Sequence, residues 1–375
     1  MRLVYFSHSV VSDWNHGNAH FQRGILRALM ALGHDALACE PADGWSRGNL
    51  VADQGPGALR RFEEDFPDLR VLTYRGLDDV EAVIDGADAV IVHEWTDPEL
   101  VAALGRRRAA GAGCTLLFHD THHRAVSAPE ELATLDLDGY DGVLAFGEVL
   151  SETYRRLGWG RDVHTWHEAA DTSLFNPAPA TGPRRDLVWV GNWGDGERAR
   201  ELEEFLIEPV RRLGLSATVH GVRYPEEARR ALAGAGIGYD GWLRNSAVPA
   251  TFARYRATVH VPRRYYARQL PGIPTIRMFE ALACGMPLVT APWQDVEGLF
   301  RPGRDYLVAE SGERMAALLR QVLDDRDLAA SLARCGRETV LSRHTCAHRV
   351  AELLAILGRT MPAVLGPATD REAAE

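Results

Sequence analysis

The sequence predicts an α/β protein made of two Rossmann-like, doubly wound parallel-sheet domains that face each other across a cleft. Three observations predict it. Short β-branched runs alternate with segments of helical period through most of the 375 residues, as in a parallel sheet covered on both faces. The alternation restarts after "NPAPATGPRR", a Pro- and Gly-rich stretch without a period of its own, which reads as a linker. A chain of this length also exceeds one ordinary core. The expected division is a first domain over 1–175 and a second over 176–345. A helix over 346–362 should pack back across both, and 363–375 reads as a frayed tail.

The elements follow in order. "RLVYFS" reads as the first strand, and "HFQRGILRALMALGH" as an amphipathic helix with Phe21, Ile25, Leu29 and Leu32 on one face. "VLTY", "AVIVH", "CTLLFH" and "GVLAFG" are further strands, each followed by a helix or a loop. In the second half "DLVWVGN", "SATVHG" and "ATVHVP" read as strands. "ERARELEEFLIEPVRRLG", "PEEARRALAGAG" and "VPATFARYR" read as helices. "TIRMFEALACGMPLVTAPW" supplies a helix stopped by Gly285 and a short buried strand over Pro287 to Thr290. A helical tail runs from about Glu313 to Arg359.

Composition narrows the function classes. A net charge of −10 with no basic stripe argues against a nucleic-acid partner. Five scattered cysteines with no CxxC pair argue against a disulfide framework and a structural zinc site. No apolar run approaches the ~20 residues that span a bilayer, so no integral membrane segment is expected. "MRLVYFSHSV" turns polar too soon for a signal peptide, and a cytoplasmic location is expected.

In open parallel sheets ligands bind beyond the carboxyl ends of the strands. In the first half those ends carry Ser7 to Asn18, His93–Glu94–Trp95 and "HDTHHR" from His119. In the second they carry Asn192–Trp193–Gly194, "GVRY", "PRRYY" and the Gly-Ile-Pro-Thr that opens the helix containing Glu280. Glu280 lies among Ile276, Met278, Phe279, Ala281, Leu282 and Ala283, where an unpaired carboxylate is costly. Arg277, one turn back, could pair with it locally. Alternatively, Pro274 and Thr275 start the helix, whose free first-turn N–H groups could hold a phosphate while Glu280 accepts from a sugar hydroxyl.

The stretch "TIRMFEALACGMPLVTAPWQDVEGLF", continued by "RPGRDYLVA" and "HTCAHRVAELL", resembles the C-terminal half of GT-B glycosyltransferases. More narrowly it is similar to the spore-maturation CgeB-like branch allied to glycosyltransferase family 4. "HGNAHFQRGILRALMALGHDALACEP" (16–41) is similar to that group's N-terminal loop and helix, and "EAADTSLFNP" (168–177) to its inter-domain link. The resemblance covers roughly residues 1–355. It implies a GT-B fold with the acceptor on the first domain and a nucleotide-sugar donor on the second. It implies a retaining transfer of a sugar from a nucleotide diphosphate co-substrate, without a metal or another cofactor. The acceptor, whether small molecule, glycan or protein, is left open.

By this resemblance Glu280 matches the second glutamate of the E-x7-E motif, expected to hold the ribose hydroxyls. The first falls at Gly272, a departure that leaves the donor sugar undetermined. The backbone of Ile273, Thr275 and Ile276 is then expected to approach the sugar and β-phosphate. Arg277, Asn192, Trp193 and Leu243 complete the donor-side candidates. The family's Arg and Lys after the first strand of the second domain are not matched as a pair. Arg198 is the nearest cation, with Arg263 or Arg264 as the alternative. The resemblance places His119 against the donor sugar, and Asp120 and His122 are candidates for orienting it, against a structural role for that histidine. "HDTHH" lacks the i, i+4 helical spacing of a zinc motif, and no metal ligand is assigned. On the acceptor side, Gly17 and Asn18 would cap the cleft, Asn18 also serving as a helix N-cap. His93 and Glu94 end a strand there, and Glu94 could act as a base. His344 and Arg349 read as structural. Two other readings stay open: a GT-B nucleotide-sugar 2-epimerase or hydrolase, and a non-catalytic nucleotide-sugar-binding protein.

Overall fold

The structure, a computed structural model, describes residues 1–194 and 196–360. The first sheet holds seven parallel strands: β1 (Arg2–Phe6), β2 (Asp35–Pro41), β3 (Val71–Tyr74), β4 (Ala89–His93), β5 (Thr115–Asp120), β6 (Gly142–Ala145) and β7 (Asp162–Thr165). Their order is β3-β2-β1-β4-β5-β6-β7. The second holds β8 (Arg185–Val190), β9 (Ala217–His220), β10 (Gly238–Tyr239), β11 (Tyr255–His260), β12 (Leu288–Thr290) and β13 (Leu307–Val308). Its order is β10-β9-β8-β11-β12-β13, again all parallel. Strand order reverses between β1 and β4 and between β8 and β11, where a doubly wound sheet opens its ligand crevice. Every residue of β4, β5 and β6 is buried, as helices on both faces require.

Three of the four strands that periodicity misses are short or lie at a sheet edge. β7, β10 and β13 have four, two and two residues. The fourth, β2, reads DALACEP, whose alanines and acids carry little strand propensity. "ERARELEEFLIEPVRRLG" is helical but contains a π turn over Glu203–Ile207, just before Pro209, which has no N–H to donate. "VPATFARYR" is helical only to Phe252, because Tyr255 already pairs with Arg185 in β11. The long tail is three helices, Gly312–Asp324, Arg326–Arg343 and Cys346–Thr360, and Asp325 caps the second by accepting from Asp327 and Leu328 N–H. The expected frayed tail lies outside the described residues.

In helix α1 (Ala19–Ala31), Phe21, Ile25 and Leu29 are buried as a stripe. Leu32 is 60% exposed, because the helix has ended and Gly33 turns the chain. One apolar cluster joins Phe21 and Ile25 of the first domain to Met278, Phe279 and Leu282 of the second and to Val350, Leu353 and Leu357 of the last helix. The domains therefore share a core as well as a boundary. All five cysteines are buried and unpaired. No helix among the described residues is long and apolar enough to cross a membrane.

Candidate functional site

The helix Ile276–Ala283 begins at the domain boundary. Thr275 precedes it without a side-chain cap, so no side chain accepts from its first turn. Gly272, just before, has φ +92°, and a Cβ there would lie 2.7 Å from Val296 Cγ2 and 3.3 Å from Glu297 Oε1. A glutamate is therefore sterically foreign to that position. Ile273 is fully buried and its carbonyl accepts from Trp293 Nε1 at 2.9 Å. Ile276 packs under Gly17 of the first domain, whose missing Cβ would stand 3.2 Å from Ile276 Cγ2. Gly17 thus permits the close approach of the two domains.

Glu280 has no exposed area and two protein partners. Arg277 Nη1 donates to one oxygen, so the local pair exists. The other oxygen lies 2.7 Å from Nδ1 of His20, a fully buried residue of α1 in the opposite domain. That contact is within ion-pair range but misaligned for a hydrogen bond, and both imidazole nitrogens are otherwise unpartnered. Burial alone would raise the carboxyl; Arg277 and then His20 hold it below its usual range. In this arrangement Glu280 is enclosed between Arg277 of its own helix and His20 across the domain boundary. Glu168, buried nearby with Oε1 unpartnered, is pushed well up by burial and by Glu280.

The second domain gathers cations beside this helix. Arg198 is 9% exposed; it donates to the Asn192 carbonyl at 2.5 Å and to the Val261 carbonyl at 3.2 Å, and its Nε is unpartnered. Its guanidinium lies 5.3 Å from the centre of the Trp189 ring. Burial, with Arg263 as the next cause, pulls it down to about 10. No carboxylate among the described residues bonds to it, whereas Arg263 is paired with Glu197 at 2.7 Å and Arg264 with Glu201 at 3.0 Å. Of the two arginine assignments, only Arg198 is without a bonded carboxylate among the described residues. His260, from β11, contacts Thr290 Oγ1 at 2.8 Å and Thr275 Oγ1 at 3.0 Å, fixing the hydroxyl at the helix start. Asn192 accepts from Val222 N–H at 2.9 Å and bonds Asn15 across the boundary. Trp193 packs its ring 5.5 Å from that of Tyr224, and Leu243 is partly buried against the shared core.

In the first domain most of the sequence-predicted residues are enclosed. His119 is fully buried, 2.5 Å from Tyr5 Oη and edge-on to Trp166, and burial lowers it to about 3. It is part of the core, which corrects its placement against the donor sugar. Asp120 does not orient it: its oxygens accept from His122 N–H at 2.9 Å and Tyr154 O–H at 2.8 Å. Glu94 is likewise enclosed, bonded to Arg124 at 3.1 Å and to Thr121, and burial with Asp120 beside it raises its carboxyl. That environment disfavours Glu94 as a free base. Asn18 occupies the N-cap position of α1 without a side-chain capping bond. His93 is buried, bonded to Thr121 Oγ1 at 3.0 Å. His122 sits between Trp95 and His123, at ring distances of 5.3 and 3.9 Å.

Sequence reasoning missed the residues that bridge the domains. Asp13 accepts from Trp242 Nε1 at 3.1 Å and from Asn245 N–H at 3.0 Å. Glu297 accepts from Glu148 N–H at 2.9 Å and contacts His167 Nε2 at 2.7 Å. His123 stacks on Tyr265 and lies 3.4 Å from Glu197. Two hollows of about 420 and 500 Å³ also mark the second domain, but neither is lined by Glu280, Arg198 or a histidine. Among the described residues no group of three His, Cys, Asp or Glu is arranged to hold a metal ion.

Residues 198–355, less than half of the chain, match the family described as "Glycosyl transferase-like". None of the curated proteins compared matches the sequence. Among solved structures, the sucrose-phosphate synthase from Thermosynechococcus elongatus is similar at a TM-score of 0.65 and 15% identity, covering 96% of this chain and 99% of that one. Anabaena HepE in complex with UDP is similar at a TM-score of 0.66 and 14% identity, covering 96% and 100%. T4 phage BGT in complex with UDP-glucose is similar at 0.60 and 11%, covering 96% and 99%. At these identities the likeness establishes the fold, which is GT-B.

Proposed function

We propose that this chain is a glycosyltransferase that moves a sugar from a nucleoside diphosphate donor to an acceptor, with the diphosphate held at Arg198 and the start of the helix Ile276–Ala283. The observation that carries the reading is Arg198. Among the described residues its guanidinium bonds only backbone carbonyls and lies against the Trp189 ring, an unfavourable use of a charge unless an anion joins it. Thr275, set by His260, and the uncapped helix start add a hydroxyl and backbone N–H groups beside it.

The chemistry follows from where charge develops. As the bond between the anomeric carbon and the β-phosphate oxygen breaks, negative charge builds on the departing diphosphate. Preorganised donors there stabilise the transition state by about 3–4 kcal/mol each in comparable sites. This assigns to guanidinium and backbone N–H groups the neutralisation that the reading needs, so the transfer is metal-independent. The acceptor hydroxyl attacks the anomeric carbon from the face the diphosphate leaves and passes its proton to the departing β-phosphate oxygen, which retains configuration.

Glu280 enters through domain movement. Opening withdraws His20 with the first domain and frees one carboxylate oxygen beside the helix start, where a ribose hydroxyl can take its place. Uridine is the first base to test, because the UDP complexes of similar fold support it. The subgroup and family 4 relation suggested by the C-terminal motif belong to the same proposal. The experiment is a thermal-shift screen with UDP, GDP, dTDP and ADP, followed by incubation with the matching nucleotide sugars. Stabilisation by one diphosphate and slow release of it from its sugar are expected; stabilisation without any release would favour the non-catalytic binder.

A further inference from the structure

We propose that the carboxyl ends of β1, β4 and β5 form the acceptor subsite and that it takes a neutral carbohydrate, with Trp95 as its platform and His8, His16, His93 and His122 as its walls. This rests on the glycosyltransferase reading and deepens it. Trp95 is 44% exposed, an unusual state for a tryptophan at the head of a buried strand. Arg124 lies 4.2 Å from its ring centre, and His8 and His122 meet it edge-on at 6.4 and 5.3 Å. His16 packs on His8 at 3.9 Å, and His93 lies 5.6 Å from His8.

Two of the polar edges on these rings lack protein partners. His8 Nδ1 and His122 Nδ1 are buried without a hydrogen bond, and the His16 ring meets the backbone of Ser9 and Ser12. One such atom is ordinary; two, on the rings that meet one exposed tryptophan, call for a ligand. Burial holds His8, His16 and His122 below their usual range, so each ring is neutral, with one donor and one acceptor nitrogen. A hydroxyl, which both donates and accepts, matches that set. A phosphate or carboxylate does not, because the neighbouring guanidinium of Arg124 is already committed to Glu94. The exposed tryptophan ring suits the apolar face of a pyranose.

The second domain holds this subsite shut. His8 and His16 lie on the loop that Asp13 ties to Trp242 and Asn15 ties to Asn192. On this proposal the acceptor enters when the second domain releases that loop and uncovers the imidazoles.

The test is saturation-transfer-difference NMR on the full chain with saturating UDP, using glucose, N-acetylglucosamine and maltose as neutral probes. Glucuronate, glucosamine and glucose 6-phosphate are the charged ones. The neutral sugars should give signals at least five-fold stronger than the charged ones. Those signals should fall at least five-fold in Trp95→Ala and His16→Ala, and persist in Trp95→Phe, which controls for folding. Charged probes binding equally well, or neutral sugars binding Trp95→Ala unchanged, would overturn the proposal. So would the absence of any neutral-sugar signal while UDP still binds; failure of UDP itself to bind would instead remove the reading beneath it.

Discussion

Replacing Arg198 with Gln should separate ligand binding from folding. The guanidinium makes two bonds to carbonyls, each worth about 1.5–3 kcal/mol for a charged donor. Against them stands the cost of burying a cation with no carboxylate, which is several kcal/mol. The two contributions oppose each other, so Arg198→Gln should change folding stability by only about 1 kcal/mol. Diphosphate binding loses one charge-assisted contact of about 2–3 kcal/mol, a drop of about 30- to 150-fold. Isothermal titration with UDP and with uridine reads the difference: uridine has no phosphate and should bind wild type and variant alike. Unchanged UDP affinity, or equal losses for UDP and uridine, would refute the placement of the diphosphate at Arg198.

Three further outcomes follow from the geometry. His20→Ala removes a fully buried side chain that packs on Phe175 and touches Glu280 while Arg277 remains, so it should destabilise the fold by about 1–3 kcal/mol; an unchanged urea midpoint would contradict the inter-domain contact. Gly272→Glu restores the family's first carboxylate in sequence but forces a Cβ against Val296 at a positive φ, costing about 1–3 kcal/mol, and a melting temperature equal to wild type would contradict that strain. His8, His119, His260 and His344 are lowered to between about 3 and 4, chiefly by burial, so below pH 6.5 the unfolded chain binds protons that the native one does not. Their stability contribution is complete above pH 6.5 and falls as pH drops toward 4, by about 1.4 kcal/mol per group and pH unit at the steepest. Equal urea midpoints at pH 7 and pH 5 would contradict this.

How much of this was legible in the sequence depends on the range of each interaction. β4, β5 and β11 announce themselves because local β-branched runs record burial on both faces. The Gly272–Thr275 turn and its helix are legible for the same reason. Arg277 as a partner of Glu280 needs only helical spacing. His20 as the other partner is separated by 260 positions, and nothing local marks it. His119 shows the converse error: a histidine at a strand end looks catalytic, but the alternation that places it there turns its ring inward onto Tyr5 and Trp166. The residue that meets the second domain comes after the strand, at His123, which stacks on Tyr265. His260 was hidden inside a strand, its role visible only once β11, β12 and Thr275 converge.

The most direct measurement is a crystal structure with UDP bound. The account predicts a β-phosphate oxygen within about 3 Å of the Arg198 guanidinium and the Thr275 hydroxyl, with the ribose beside Glu280 and His20 drawn away. UDP seated elsewhere, or a β-phosphate directed away from Arg198 and into solvent, would contradict it.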